Sequence, residues 1–344
     1  MKALSDFRHV VKVACVYLSG VIGAGFVTGR EVYVYFGKFG ANGYIGIAVA
    51  SVLFILTAVR LLAVIEKYDC RSMSDVTEAM FGRRAGKFVC MANALFLYCM
   101  YIVISAGAGE LICSLTGTRR VTSMLAVSGV CIFFLFIGFG GIAAVCSVAA
   151  PITAVIMLAA VILPGKAESG TAGPVAASEG GFLWAVMAAV YVGYNVLVLI
   201  SVMPRIKNDI KNQKTARLGG ASGAIMVSCL LFAVNYGMNM TAGIGGDSDM
   251  PLAEAAAGRG EVFGAVMYGA VLVTMILSAS ANISNCGELI GRHINIKERT
   301  AGTVLAAVGG LFSLAGFGPL MDIFYTFFGF LGVILIFPLV FTKK

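Results

Sequence analysis

Apolar runs near the roughly 20 residues that cross a bilayer as a helix alternate along the chain with short polar and basic segments. Ten such runs are expected as spans, at about 10–36, 43–65, 88–113, 121–138, 141–163, 182–202, 218–240, 262–288, 301–316 and 319–341. The first differs from the rest. Between Val10–Leu18 and Val32–Phe36 it carries SGVIGAGFVTGRE, residues 19–31, with four glycines at its middle. Each interior glycine costs a helix about 1 kcal/mol relative to alanine. In hydrocarbon an unwound backbone is tolerated only where it is buried in protein or lines a watery cavity. A break here therefore implies a cavity, in which two half-helix ends offer carbonyls and amides side by side to a cation and an anionic group. The competing reading is that the glycines only allow close helix packing.

The ten runs divide at a small-residue segment, Gly165 to Gly181, into halves of five spans, about 10–164 and 182–341. An odd number of crossings per half gives the halves opposite orientations. Two echoes accompany the division. Span three ends in Gly109-Glu110-Leu111-Ile112 and its counterpart, span eight, in Gly287-Glu288-Leu289-Ile290. The glycine break of span one has a counterpart in Tyr191-Val192-Gly193-Tyr194-Asn195, so span six is also expected to be broken. The alternative for Gly193 and Asn195 is a packing glycine and an interhelical hydrogen bond. Pro251 to Ala257, within the outer segment that carries Asp247, Asp249 and Glu254, is expected as a short re-entrant or surface helix, and Arg205 to Arg217 as a loop or interfacial helix.

Composition and charge sharpen this picture. Of 344 residues, 59% are hydrophobic and 12% charged, about half the charged share of a soluble domain, so the chain reads as a polytopic membrane protein. The net charge of +8 resides in short loops and acts as a topology determinant, which discounts a nucleic-acid partner. With the N-terminus inside, the inner segments hold Lys2, Arg8, Lys12, Lys67, Arg71, Arg83, Arg84, Lys87, Arg205, Lys207, Lys211, Lys214, Arg217, Arg292, Lys297, Arg299, Lys343 and Lys344. The outer segments hold Lys38, Arg119, Arg120, Lys166 and Arg259, and Arg30 and Arg60 fall within spans. Both termini are thus expected in the cytoplasm. The basic N-terminus lacks a small-residue cleavage site and reads as the start of the first span. Nine scattered cysteines and two histidines form no metal-ligand pattern, no cofactor is implied, and no Ser/His or Asp/Asp arrangement suggests an enzyme. No nucleotide-binding motif offers direct ATP coupling.

The run V-I-G-A-G-F-V-T-G-R-E, Val21 to Glu31, resembles the G-A-G-[FY]-A-[ST]-G-x-E signature of the YkvI family of bacterial membrane proteins, with Val27 where alanine is usual. That family looks related to the amino acid–polyamine–organocation superfamily and, through it, to the leucine-transporter fold. The resemblance implies ten helices in two inverted five-helix repeats with spans 1 and 6 broken, and alternating-access transport in the cell membrane. The substrate site is then expected at Gly23, Ala24, Gly25 and Phe26, whose amides face a carboxylate, with Tyr101 closing over it and Gly193, Tyr194 and Asn195 adding polarity. A coupling Na⁺ is expected between the carbonyls near Ser19 and Ile22 and the hydroxyls of Thr274 and Ser278, which share a helix face. Arg30 and Glu31 with Asp322 match an outer gate, although Arg30 falls one position late. Proton coupling through Glu31, Glu110 or Glu288 stays open. The expected function is a secondary transporter of an amino acid or related zwitterion, driven by Na⁺ or H⁺. The alternative is a ligand receptor of the same fold without net transport. Partners are a small solute and the lipid bilayer, and the sequence leaves the oligomeric state undetermined.

Overall fold

The computed structural model describes residues 2–163, 181–240, 250–315 and 317–341, and every regular element among them is helical. In chain order these are α1 (Lys2–Val21), α2 (Ala24–Thr28), α3 (Arg30–Tyr35), α4 (Ala41–Lys67), α5 (Met73–Thr116), α6 (Arg120–Ile137), α7 (Phe139–Ile162), α8 (Leu183–Val202), α9 (Gln213–Met240), α10 (Pro251–Ala257), α11 (Glu261–Ile294), α12 (Glu298–Phe312) and α13 (Phe317–Phe341). Among the described residues seven helices, α4 to α9 and α11, are long and apolar enough to cross a membrane. They correspond to the second to eighth expected spans. The first expected span is divided among α1, α2 and α3, the ninth is the 15-residue α12, and the tenth is α13. The segment at 165–180 and the acids Asp247 and Asp249 lie outside the described residues.

The large apolar side chains that remain accessible sort the helices by depth. Phe88, Ile162 and Val262 are each more than 70% exposed, a cost in water that vanishes against lipid. At the other extreme, 78% of the most apolar stretch of α8 is buried, against 28% for α7, so α8 runs through the middle of the bundle. It packs on α13 and α4, α1 packs on α9 and α7, and α11 packs on α5 and α12. Small residues permit the closest approaches. A Cβ on Gly193 would meet the backbone nitrogen of Val333 at 2.8 Å, so α8 and α13 touch main chain to main chain.

Three expectations are corrected. Span six is not broken at Gly193, because α8 is continuous from Leu183 to Val202. The Asn195 amide donates to the Tyr191 carbonyl of its own helix at 2.8 Å, and Gly193 serves the contact with Gly329 and Gly332. The helix gives way only after Val202, to a 3₁₀ turn over Met203–Asp209 that contains Pro204. The inner segment before span three is not a loop, because α5 starts at Met73. Ser72 opens it with a reciprocal cap, its Oγ accepting from the Asp75 amide at 3.3 Å and its own amide donating to the Asp75 carboxylate at 2.9 Å. Gly82, at φ 77°, then turns the chain into the span proper. Finally, residues 205–209 form a 3₁₀ turn, and α9 already begins at Gln213.

Candidate solute and cation site

The first span breaks at Ile22–Gly23. Ile22 makes the last helical bond, to the Leu18 carbonyl at 2.8 Å, and the Gly23 amide turns back to Val21 at 2.7 Å. The Ser19 carbonyl thereby loses its i+4 donor and becomes available to another partner. Gly23 is extended (φ −89°, ψ −173°) and caps α2, its carbonyl accepting from the Val27 amide at 3.1 Å. A second break follows at Gly29, at φ 85°, where a side chain would also press on Leu252 of α10. Leu252 is fully buried there, so α10 seats beneath the bundle surface against α2, α7 and α11.

Beside the first break lies a cavity. Its wall is apolar over Val16, Met100, Ile104, Phe139 and Val198, and polar at Ser19, Gly23, Glu31, Tyr194, Asn195, Ser278 and Asn282. Glu31 is 2% exposed, and the Tyr194 hydroxyl donates to its carboxylate at 2.5 Å. The Tyr194 ring is fixed by Tyr35 and Tyr191, with centroids 5.7 and 5.4 Å away, and Tyr191 in turn packs on Phe36 and Phe54. An aromatic block from α3, α4, α8 and the residue after α3 thus positions the Tyr194 hydroxyl that reaches Glu31.

A smaller cavity adjoins the first and shares Ser19, Cys146 and Ser278 with it. It is lined by Ser19, Ile22, Thr274 and Ser278, with Cys146, Ala149, Ala150 and Leu277 completing the wall. Thr274 is 3.3 Å from the hydroxyl of Thr153 on α7. Ser19 and Ser278 line both cavities. The donors are neutral oxygens without a carboxylate, a set matched to a monovalent hard cation rather than a divalent one.

The structure brings the four expected cation residues together and divides the expected substrate residues. Gly23, Tyr194 and Asn195 line the larger cavity, whereas Ala24 and Phe26 are buried in the core behind it and Gly25 packs against the Glu31 side chain. Gly193 faces α13. Tyr101 is fully buried away from the cavity and donates to the Ala306 carbonyl of α12 at 2.9 Å. Glu31, expected at the gate, lies on the cavity wall, and Arg30 follows Gly29, its amide 3.4 Å from the Thr28 hydroxyl. The side chain of Asp322 lies outside the described residues.

One cluster escaped the sequence reading. Below the cavity, Arg205 reaches Glu298 at 2.7 Å, Asn285 at 3.1 Å, Ser284 at 3.2 Å and Glu288 at 3.4 Å, and it stacks 4.0 Å from the Phe139 ring. It therefore ties the turn after α8 to α7, α11 and α12. The positive charge of residues 205–217 was legible as topology, but the acids that answer Arg205 stand more than 80 positions away in sequence.

Comparison with known proteins bears on this arrangement. A family model described as a spore germination protein matches residues 10–242. The chain belongs to the spore permease family. Within and beyond that match it is similar to the uncharacterized membrane protein YkvI of Bacillus subtilis (strain 168), 23% identical over 329 residues, 94% of this chain and 92% of that one. The similarity noted over residues 21–31 thus extends along the length of this family member. Among solved structures, MhsT in complex with L-phenylalanine superposes with a TM-score of 0.68 at 14% identity, over 95% of this chain and 87% of that one. A Na⁺-coupled sialic acid symporter in a substrate-bound outward-open state gives 0.65 at 13% identity, over 97% and 79%. The nucleobase-cation-symport-1 family transporter Mhp1 gives 0.59 at 15% identity, over 93% and 74%. The fold is the leucine-transporter fold.

Proposed function

We propose that this spore permease family member is a secondary active transporter of a small solute, an amino acid or related zwitterion, coupled to Na⁺. The observation that carries the reading is the break at Ile22–Gly23, which stands between a cavity of mixed apolar and polar lining and a smaller pocket of neutral oxygens. On this reading Glu31 and Tyr194 receive the solute's ammonium group, the Gly23 end of the break its carboxylate, and the apolar wall its side chain. The cation joins Ser19 and Ile22 to Thr274 and Ser278, clamping the end of α1 to α11. Because Ser19 and Ser278 border both volumes, each ligand alters the other's surroundings, and the coupling is reciprocal. Release of the clamp frees α1 to move, and the Arg205 cluster closes the inner end of the path. Two inverted halves, 10–164 and 182–341, with both termini in the cytoplasm of a cell-membrane protein, complete the proposal. The likenesses to symporters support it through the fold. Transport also accounts for the chain without an enzymatic role.

A proton in place of Na⁺, carried by Glu31, is the alternative driver. The family's description as a spore germination protein favours a second reading, a ligand receptor of this fold without net transport. Uptake of labelled amino acids into proteoliposomes separates these readings. Accumulation that requires an inward Na⁺ gradient is expected. Accumulation driven by a pH gradient alone moves the coupling to Glu31, and binding without accumulation under either gradient supports the receptor.

A further inference from the structure

We propose that the cleft between α4, α9 and the end of α13 binds the phosphate headgroup of an anionic phospholipid of the cytoplasmic leaflet. The cleft, about 280 Å³, is distinct from the solute cavity and has Arg60, Lys67, Gln213 and Arg217 on its wall and no acidic residue. Arg60 and Arg217 make no hydrogen bond or ion pair among the described residues. Lys67 lies 5.1 Å over the ring of Tyr68, which keeps its ammonium group at the mouth. The neighbouring acid, Glu66, accepts from Gln213 and has no ion pair among the described residues.

Depth turns this charge surplus into a site. Arg60 precedes Lys67 by seven residues on α4, two turns or about 10 Å farther into the bilayer on the same face. Arg217 stands one turn into α9 from Gln213, on the facing helix. Arg60 and Arg217 are both exposed along the cleft, so their guanidinium groups are open to a counter-anion at a depth where a charge without one is costly. The guanidinium fork matches phosphate oxygens in pairs. The remainder of the wall, Val64, Met80 and Leu339 among it, is apolar and suits acyl chains. A free phosphate would use only the basic half. Basic pockets between membrane helices on the cytoplasmic side are suited to such headgroups. The inference stands apart from the solute reading, and only the choice of leaflet depends on the orientation set by the basic loops.

The test is native mass spectrometry and thermal unfolding of the full chain in micelles of phosphatidylglycerol or phosphatidylcholine. Preferential retention of phosphatidylglycerol is expected for the wild type, falling about fivefold for each cation removed in R60Q and R60Q/R217Q. R83Q/R84Q, which removes two exposed cations outside the cleft, is expected to keep the preference. Equal retention of both lipids by the wild type overturns the proposal without recourse to any variant. An equal loss in R83Q/R84Q reduces it to diffuse attraction and overturns it, as does full displacement of the lipid by about 10 mM inorganic phosphate, which would assign the cleft to free phosphate. Where R60Q/R217Q does not fold, R60Q alone provides the reading, and an undiminished preference for phosphatidylglycerol in R60Q overturns the proposal.

Discussion

Replacing Thr274 by valine probes the smaller cavity with little change of shape. Thr274 is 8% exposed, lines the smaller pocket with Ser19, Ile22 and Ser278, and lies 3.3 Å from Thr153. Valine keeps the branched outline but removes one of the few neutral oxygens available to a cation. A contact between a neutral donor group and a full charge is worth about 1.5–3 kcal/mol, so Na⁺ affinity is expected to fall roughly tenfold to hundredfold. In Na⁺-free buffer the cost is about 1 kcal/mol, because Thr153 can turn its hydroxyl to its own helix backbone. The assay is the thermal-unfolding midpoint of the purified protein against Na⁺ concentration, with K⁺ holding ionic strength constant. Stabilisation by a ligand grows as RT ln(1 + [L]/Kd), so the variant's curve should parallel the wild-type curve at tenfold to hundredfold higher Na⁺. Superimposable curves, or a wild type equally stabilised by Na⁺ and K⁺, would refute the assignment.

Three further outcomes follow from the same structure. Tyr194→Phe keeps the ring packed against Tyr35 and Tyr191 while removing the donor to Glu31, so folding is retained and solute-induced stabilisation weakens by about tenfold or more; unchanged ligand affinity would take Tyr194 out of the site. Gly193→Ala places a methyl against the Val333 amide and is expected to lower stability by about 1–3 kcal/mol in denaturant titrations; a neutral result would contradict the backbone contact between α8 and α13. Arg205→Gln unties α8 from Glu288 and Glu298, so a variant whose sole cysteine is Cys146, on the cavity wall, should react several-fold faster with a water-soluble maleimide. An unchanged rate would mean that Arg205 does not close the path.

What the sequence revealed followed from local chemistry. A glycine run inside an apolar span has few physical outlets, and the break at Ile22–Gly23 stands where the run predicts it. Thr274 and Ser278 share a helix face by spacing alone, and the structure sets both beside Ser19 and Ile22. The G-E-L-I echo also has a physical counterpart. Glu110 pairs with Arg120 at 2.6 Å near the end of α5, and Glu288 pairs with Arg292 at 2.7 Å and Arg205 at 3.4 Å near the end of α11. What stayed hidden depended on distant partners. Gly193 resembled a break, but Gly329 and Gly332, more than 130 positions later, make it a packing surface. Tyr101 sits one turn from Tyr98 as expected, yet Ala306 and Ser128 draw its hydroxyl away from the cavity. Glu31 was legible as a charge within a span, but its place on the cavity wall depends on the second turn at Gly29.

The most direct measurement is an experimental structure of the protein with a bound amino acid identified by uptake or thermal stabilisation. Density for the solute is expected against Gly23, Glu31, Tyr194 and Asn195, with the helix interrupted at Ile22–Gly23. Density at another place in the bundle, or an uninterrupted helix from Val10 to Phe36, would contradict it.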